Sequence, residues 1–254
     1  MLRPLRPSRW GAGFLRPQRL AGQTRRVLRG PLTDVTIRRV KGRRRSHERI
    51  VFDSGYRPYP GEPGRKRWLS YSANDREYAL MLRHKEPRPW LVCVHGAEMG
   101  RAALDLTLFR AWHLHEDLGL NVVLPVLPMH GPRGRGLPNG AVYPGEDVMD
   151  NVHATAQAVW DVRRLLSWIR AQQPESPIGL NSLSLGGYVT SLVASLEDGL
   201  TCAILGVPVA DLIELRGRHA GLGRRDPRPA HRDAGRTPAR TRAASIRSGL
   251  GGES

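Results

Sequence analysis

Short runs dominated by apolar residues, at 89–94, 121–128, 177–180 and 201–207, alternate with stretches whose apolar positions recur every three or four residues. Such runs, bounded by Pro or Gly, predict strands buried on both faces; the three-to-four repeat predicts helices with one apolar stripe. Residues 101–118 read as a helix closed by Gly119, where left-handed backbone suits glycine. Residues 148–171 read as a longer helix, with Val152, Ala156, Val159, Val162, Leu166 and Ile169 as its buried stripe. Another helix opens at Tyr188. Strands alternating with helices in this way predict an α/β fold, a mostly parallel sheet with helices on both faces.

Residues 31–84 look different. Short β-type runs at 35–40, 49–52, 68–72 and 78–82 are interrupted by the Pro/Gly-rich stretch 55–64. They predict a separate leading layer of antiparallel strands ahead of the parallel core at 85–211.

The turn between the run at 177–180 and the next helix carries the chemistry. It reads Asn181-Ser182-Leu183-Ser184-Leu185-Gly186-Gly187-Tyr188. A serine at the apex of a strand-to-helix turn, with glycine two residues on, matches a nucleophile elbow. Flanking positions there must be small, because a Cβ would strike the neighbouring strand; Gly186 and Gly187 meet that need, and Ser182 stands where glycine is usual. About 90 residues upstream, the apolar run at 89–94 ends in His95-Gly96-Ala97, the kind of strand end that donates an oxyanion amide.

With both motifs in this order, the chain resembles the α/β-hydrolase superfamily, in its esterase, lipase and acyl-peptidase-like branch, over residues 85–211. The resemblance implies that Ser184 attacks a carbonyl, and that the Leu185 amide and an amide from Gly96 or Ala97 hold the oxyanion. It also implies a small-molecule ester, thioester or amide substrate, no cofactor, no metal, and a site bordered by the loop at 129–133. In that family the acid and the histidine follow the serine in the chain. Here no strand is predicted beyond residue 207, so the C-terminal part of the sheet is expected to be missing. Asp211 lies just past a strand end and is the candidate acid, with a helix N-cap or solvated loop residue as the competing reading. Asp226, Asp233, His219 and His231 fall in an arginine-rich segment without apolar periodicity, where nothing holds them near Ser184. His95 is expected to orient its loop, and His113, His115, His130 and His153 to serve packing or surface roles. Three readings compete: an active serine hydrolase, a truncated or frameshifted relative lacking an intact Ser-Asp-His set, and a basic polyanion-binding protein.

The formal net charge of +17 changes the picture less than its size suggests. Residues 1–30 hold eight arginines and no acid, and residues 215–254 hold ten arginines against three acids. The span between is close to neutral, with 22 basic and 20 acidic residues, so no specific nucleic-acid surface is expected. Only Lys41, Lys66 and Lys85 are lysines among forty basic residues, which points to coding bias more than to a charge-driven role. Cys93 and Cys202 lie in predicted buried strands outside metal or redox spacing, as free core thiols of a reducing cytoplasm would. No apolar stretch reaches the ~18 residues of a membrane span, and the arginine-rich start lacks the apolar core of a secretory signal. The expected organisation is a disordered basic extension at 1–30, one α/β-hydrolase-like unit at 31–211, and a disordered tail at 212–254; oligomeric state is open. Limited trypsin digestion checks this division. Both ends should be lost early, because arginines in unfolded chain are accessible, and persistence of the segment after Arg216 would contradict it.

Overall fold

A computed structural model describes residues 32, 34–42 and 45–209. The expected end segments 1–30 and 212–254 lie outside the described residues. The order of elements is β1 (Thr36–Lys41), β2 (Ser46–Asp53), α1 (Arg65–Ser70), β3 (Arg76–Leu82), β4 (Trp90–Val94), α2 (Ala102–Leu108), β5 (Asn121–Pro125), α3 (Val148–Gln172), β6 (Ile178–Leu183), α4 (Leu185–Ala194) and β7 (Cys202–Gly206). The seven strands form one sheet in the order β1-β2-β3-β5-β4-β6-β7.

The class is α/β, but the sheet is mixed. β1 through β5 join by three antiparallel pairings, and β5-β4, β4-β6 and β6-β7 are parallel. The leading strands are therefore no separate layer, as sequence suggested; β3 pairs directly with β5 and continues the sheet. Side chains alternate across a strand, and the two faces divide accordingly. Trp90, Val92 and Val94 of β4 join the core under α3 and α4, while Leu91 and Cys93 join the core that includes Phe109 and Ala111. Burial on both sides is why β4 and β5 read as unbroken apolar runs.

Three sequence expectations need correction. The run at 68–72 is not a strand: α1 ends there, followed by a 3-10 turn at Ser72–Asn74. Its aromatic residues pack by helical spacing, Trp68 against Tyr71 and against His153 of α3. The helix expected at 101–118 breaks after Leu108, with Arg110 at φ 49° and a wide π turn at His113–Asp117. β7 exists but is exposed, Ile204 and Cys202 included, because β6 alone pairs with it among the described residues.

α3 is longer than its apolar stripe. Val152, expected inside, is 38% exposed, whereas Asp150, Asn151, His153, Gln157, Asp161 and Arg163 are buried. Asp147 caps the helix by accepting from Asp150 N at 3.0 Å. The polar face meets a buried ion network. Arg133 is fully buried; its guanidinium donates to Glu77 of β3, to Asp161 of α3 at 2.8 Å, and to the carbonyls of Val126 at 2.8 Å and Asn74 at 3.1 Å. Ser54 donates to the other Asp161 oxygen at 2.6 Å, and Gln157 links Ser54, Asn74 and the Trp68 indole. A second pair, Arg163 with Glu197, ties α3 to the end of α4.

Removing one partner of such a network strands buried charge. Arg133→Met leaves the Glu77 and Asp161 carboxylates without their cation, and should lower stability by about 3–5 kcal/mol in urea unfolding. A loss under about 1 kcal/mol, the scale of an exposed pair, would show that the network carries little.

Candidate functional site

Ser184 sits between β6 and α4 with φ 51° and ψ −114°, a conformation non-glycine residues seldom adopt. Strain of this kind costs on the order of 1–3 kcal/mol and persists only where surroundings impose it. Four hydrogen bonds do so: Ser184 N–H donates to Gly206 O at 2.8 Å, and Ser184 O accepts from Gly187 N at 2.8 Å and from Tyr188 N and Val209 N, each at 3.4 Å. Ser182, in place of the usual glycine, is fully buried and donates from Oγ to Ile204 O at 3.0 Å, so its hydroxyl stitches β6 to β7. A Cβ on Gly186 would run into the carbonyls of Val94 and His95, so only glycine lets α4 start against β4. The tight turn leaves the Leu185 amide at the first position of α4, with no hydrogen-bond partner among the described residues.

Across from it runs the loop after β4. A Cβ on Gly96 would lie 3.3 Å from Ser184 Cβ, so this loop abuts the serine. His95 locks it from inside. Its Nδ1 donates to Gly96 O at 2.7 Å, and its Nε2 accepts from Leu127 N at 3.0 Å, which fixes a neutral Nδ1-protonated ring. Gly96 N–H donates to Met99 Sδ at 3.2 Å, whereas the Ala97 amide, like those of Glu98 and Met99, has no hydrogen-bond partner among the described residues. Asp105, buried in α2, accepts from Gly100 N at 3.1 Å and closes the loop's far end. Of the expected oxyanion residues, Leu185 and Ala97 thus offer amides, and Gly96 spends its own on Met99. Met99 and Asp105 were missed in the sequence. An acid in the first helical turn is a known sign of amide capture; the thioether contact has no sequence signal.

No family model matches the chain. Two Mycobacterium tuberculosis proteins, Uncharacterized protein Rv2627c of strain H37Rv and Uncharacterized protein MT2702 of strain CDC 1551, are each 76% identical to it over 198 residues. That match covers 78% of this chain and 48% of each relative, so the chain spans about half the length of the curated relatives it matches. Among solved structures, the acetyl xylan esterase from Paenibacillus sp. R4 is similar with a TM-score of 0.51 and 16% identity, over 81% of this chain and 68% of that one. Identity this low speaks to fold alone. The fold is that of the α/β-hydrolases.

Within this α/β-hydrolase fold, six of the seven described histidines are committed elsewhere, and the seventh, His47, lies on β2 near the sheet edge. His130 donates from Nδ1 to Pro128 O at 2.9 Å and stacks edge-on against His95. His153 reaches Pro63 O, His84 and His115 pack together, and His113 pairs with Asp117. No hydrogen bond joins Ser184 Oγ to any of them among the described residues. Asp211, His219 and His231 lie outside the described residues, as do Asp226 and Asp233. Burial pushes the Cys93 thiol up to about 12, so it is no rival nucleophile. Among the described residues, no group of three or more His, Cys, Asp or Glu is placed to hold a metal ion.

Burial, reinforced by His130, holds His95 down to about 3, and burial pushes Asp105 up to about 6. The folded chain refuses a proton that unfolded His95 takes. Its stabilising part is therefore present above pH 6.5 and is lost as pH falls toward 3; Asp105, with a raised value, acts in the opposite sense. Urea unfolding of wild type and His95→Asn separates the two. The difference in stability between them should shrink by about 2 kcal/mol from pH 7 to pH 5. A difference independent of pH would mean that His95 accepts a proton in the folded chain.

Proposed function

We propose that the chain is a serine hydrolase of the α/β-hydrolase type, attacking a carboxylic ester, thioester or amide through Ser184. The observation that carries this is the elbow itself: a serine at φ 51° between strand and helix, facing a loop locked by His95. In the reaction, Ser184 Oγ bonds to the carbonyl carbon and gives its proton to a base. The carbonyl π pair moves onto oxygen, where the Leu185 and Ala97 amides meet it. The alcohol, thiol or amine then leaves with that proton, and water releases the acyl group from Ser184. Each preorganised amide is worth roughly 2.7–4 kcal/mol in such sites. Asp211 with His219 or His231 are the downstream residues in the chain order such an acid and base take.

A second reading is favoured by one observation. Ser184 Oγ has no histidine bonded to it among the described residues. On that reading the chain carries nucleophile and oxyanion donors without a working base, and keeps only roughly 10³–10⁴-fold acceleration over water.

A fluorophosphonate probe and short-chain p-nitrophenyl esters test both readings. Labelling should be slow and lost in Ser184→Ala, and ester turnover should lie well below the ~1–10³ s⁻¹ of competent enzymes. Labelling that persists in Ser184→Ala would remove Ser184 from the chemistry. Fast turnover abolished by that substitution would instead establish a base in the chain and overturn the second reading.

A further inference from the structure

The Pro/Gly-rich stretch between β2 and α1 is shaped by its own hydrogen bonds and held against α3. Glu62 N–H donates to Tyr59 O at 3.1 Å, and the Glu62 carboxylate accepts from Tyr59 N at 3.1 Å, which closes the turn in both directions. Arg65 Nε donates to Pro58 O at 3.0 Å, and the Trp160 indole of α3 donates to Ser54 O at 2.7 Å. These bonds border a cleft of about 300 Å³, lined among others by Tyr56, Arg57, Pro58, Tyr59, Arg65 and Trp160. That volume lies at the lower end of small-molecule sites.

The lining selects what the cleft can hold. Tyr56 and Trp160 meet edge to face, with centroids 6.3 Å apart and planes at 65°, and the exposed Tyr59 ring lines the same cleft. A planar ring suits such walls, because aromatic groups pair stacked or edge-on. Arg65 is half-buried, yet it has no ion pair, and its two terminal nitrogens have no hydrogen-bond partner, among the described residues. That leaves a planar fork of donors, the geometry that matches a carboxylate or phosphate. Arg57 adds a second cation, whose pair with Asp75 at 3.2 Å is exposed and so of little worth. No acid lines the cleft; Glu62 is engaged by the Tyr59 amide and Asp75 by Arg57.

We propose that this cleft binds a planar aromatic anion, with its ring against Tyr56, Tyr59 and Trp160 and its charged group on the Arg65 fork. A neutral sugar is the lesser fit, because it leaves the guanidinium groups without a counter-charge. None of the lining residues belongs to the elbow or to the loop after β4, so the proposal does not rest on the reading of Ser184.

Isothermal titration calorimetry of the full chain with 2-naphthoate is the test. The comparison ligands are 2-naphthylmethanol, which keeps the ring without the charge, acetate, which keeps the charge without the ring, and methyl glucoside. Of the four, 2-naphthoate alone should bind with a Kd of about 1 mM or tighter. Arg65→Gln should weaken that binding roughly 10- to 100-fold by removing a charge-assisted hydrogen bond. Tyr59→Ser, at an exposed ring outside the core, should weaken it roughly 2- to 10-fold. Thermal melts of both variants report that the fold is kept. No binding of 2-naphthoate, equal affinity for 2-naphthylmethanol, or unchanged affinity in either folded variant would each overturn the proposal. Preference for methyl glucoside would reassign the cleft to a neutral sugar.

Discussion

The buried guanidinium of Arg133 is the point on which three parts of the molecule depend. It gathers Glu77 from the antiparallel strand β3, Asp161 from the long helix α3, and carbonyls on two loops. A charge taken out of water needs its partners; here both terminal guanidinium nitrogens are bonded, while the buried Nε has no partner among the described residues. These bonds hold the turn at Gly131–Gly134 against both the sheet and the middle of α3. The polar residues of the first turns of α3 answer other partners, Asp150 accepting from Arg67 and Tyr71 and Asn151 bonding Gly145. With Glu77 also accepting from Val126 N at 3.1 Å, the chain after β5 is held on course toward His130 and the loop beside the site.

The site inherits this rigidity through His95. Its neutral ring bridges the loop after β4 and the chain after β5, bonding Gly96 O on one side and Leu127 N on the other. Burial keeps it uncharged, and the neighbouring His130 ring is likewise held below its ordinary value by burial first. Both rings bond backbone atoms of the loops beside Ser184. On the reading proposed above, the strained serine and a pair of amides would hold an oxyanion, and activating the serine would take a base from elsewhere in the chain.

Among the described residues, the two edge strands of the sheet differ in character. β1 carries arginine and lysine along its length, whereas β7 exposes Ile204, Leu205 and the following Val207. Charge deters strand addition at the first edge. At the second, Gly206 and Val209 clamp Ser184 from β7 and beyond, so the exposed edge strand is also part of what holds Ser184 in its strained conformation.

Local sequence determined the parallel core. Runs such as 89–94 and 122–125 are apolar at every position because helices and loops cover both faces, and that burial is written into each residue type. The elbow was legible for a similar reason: Gly186 is imposed by backbone atoms of β4, and the need for glycine shows in the sequence without any partner being known. What tertiary structure alone decided was everything that depends on distant partners. Trp68 reads as strand-like by its size and apolarity, but Gln157 and His153 of α3 draw it into a helix. The polar face of α3, with Asp161 and Gln157 inside, has meaning only once Arg133 arrives from 28 residues away. Met99 takes the Gly96 amide because the loop curls back on itself, and Arg38, Arg39 and Lys41 lie at a sheet edge because β1 is outermost among the described strands. Periodicity records which residues avoid water; it does not record which buried polar groups satisfy one another, since those bonds join segments that the chain brings together only by folding.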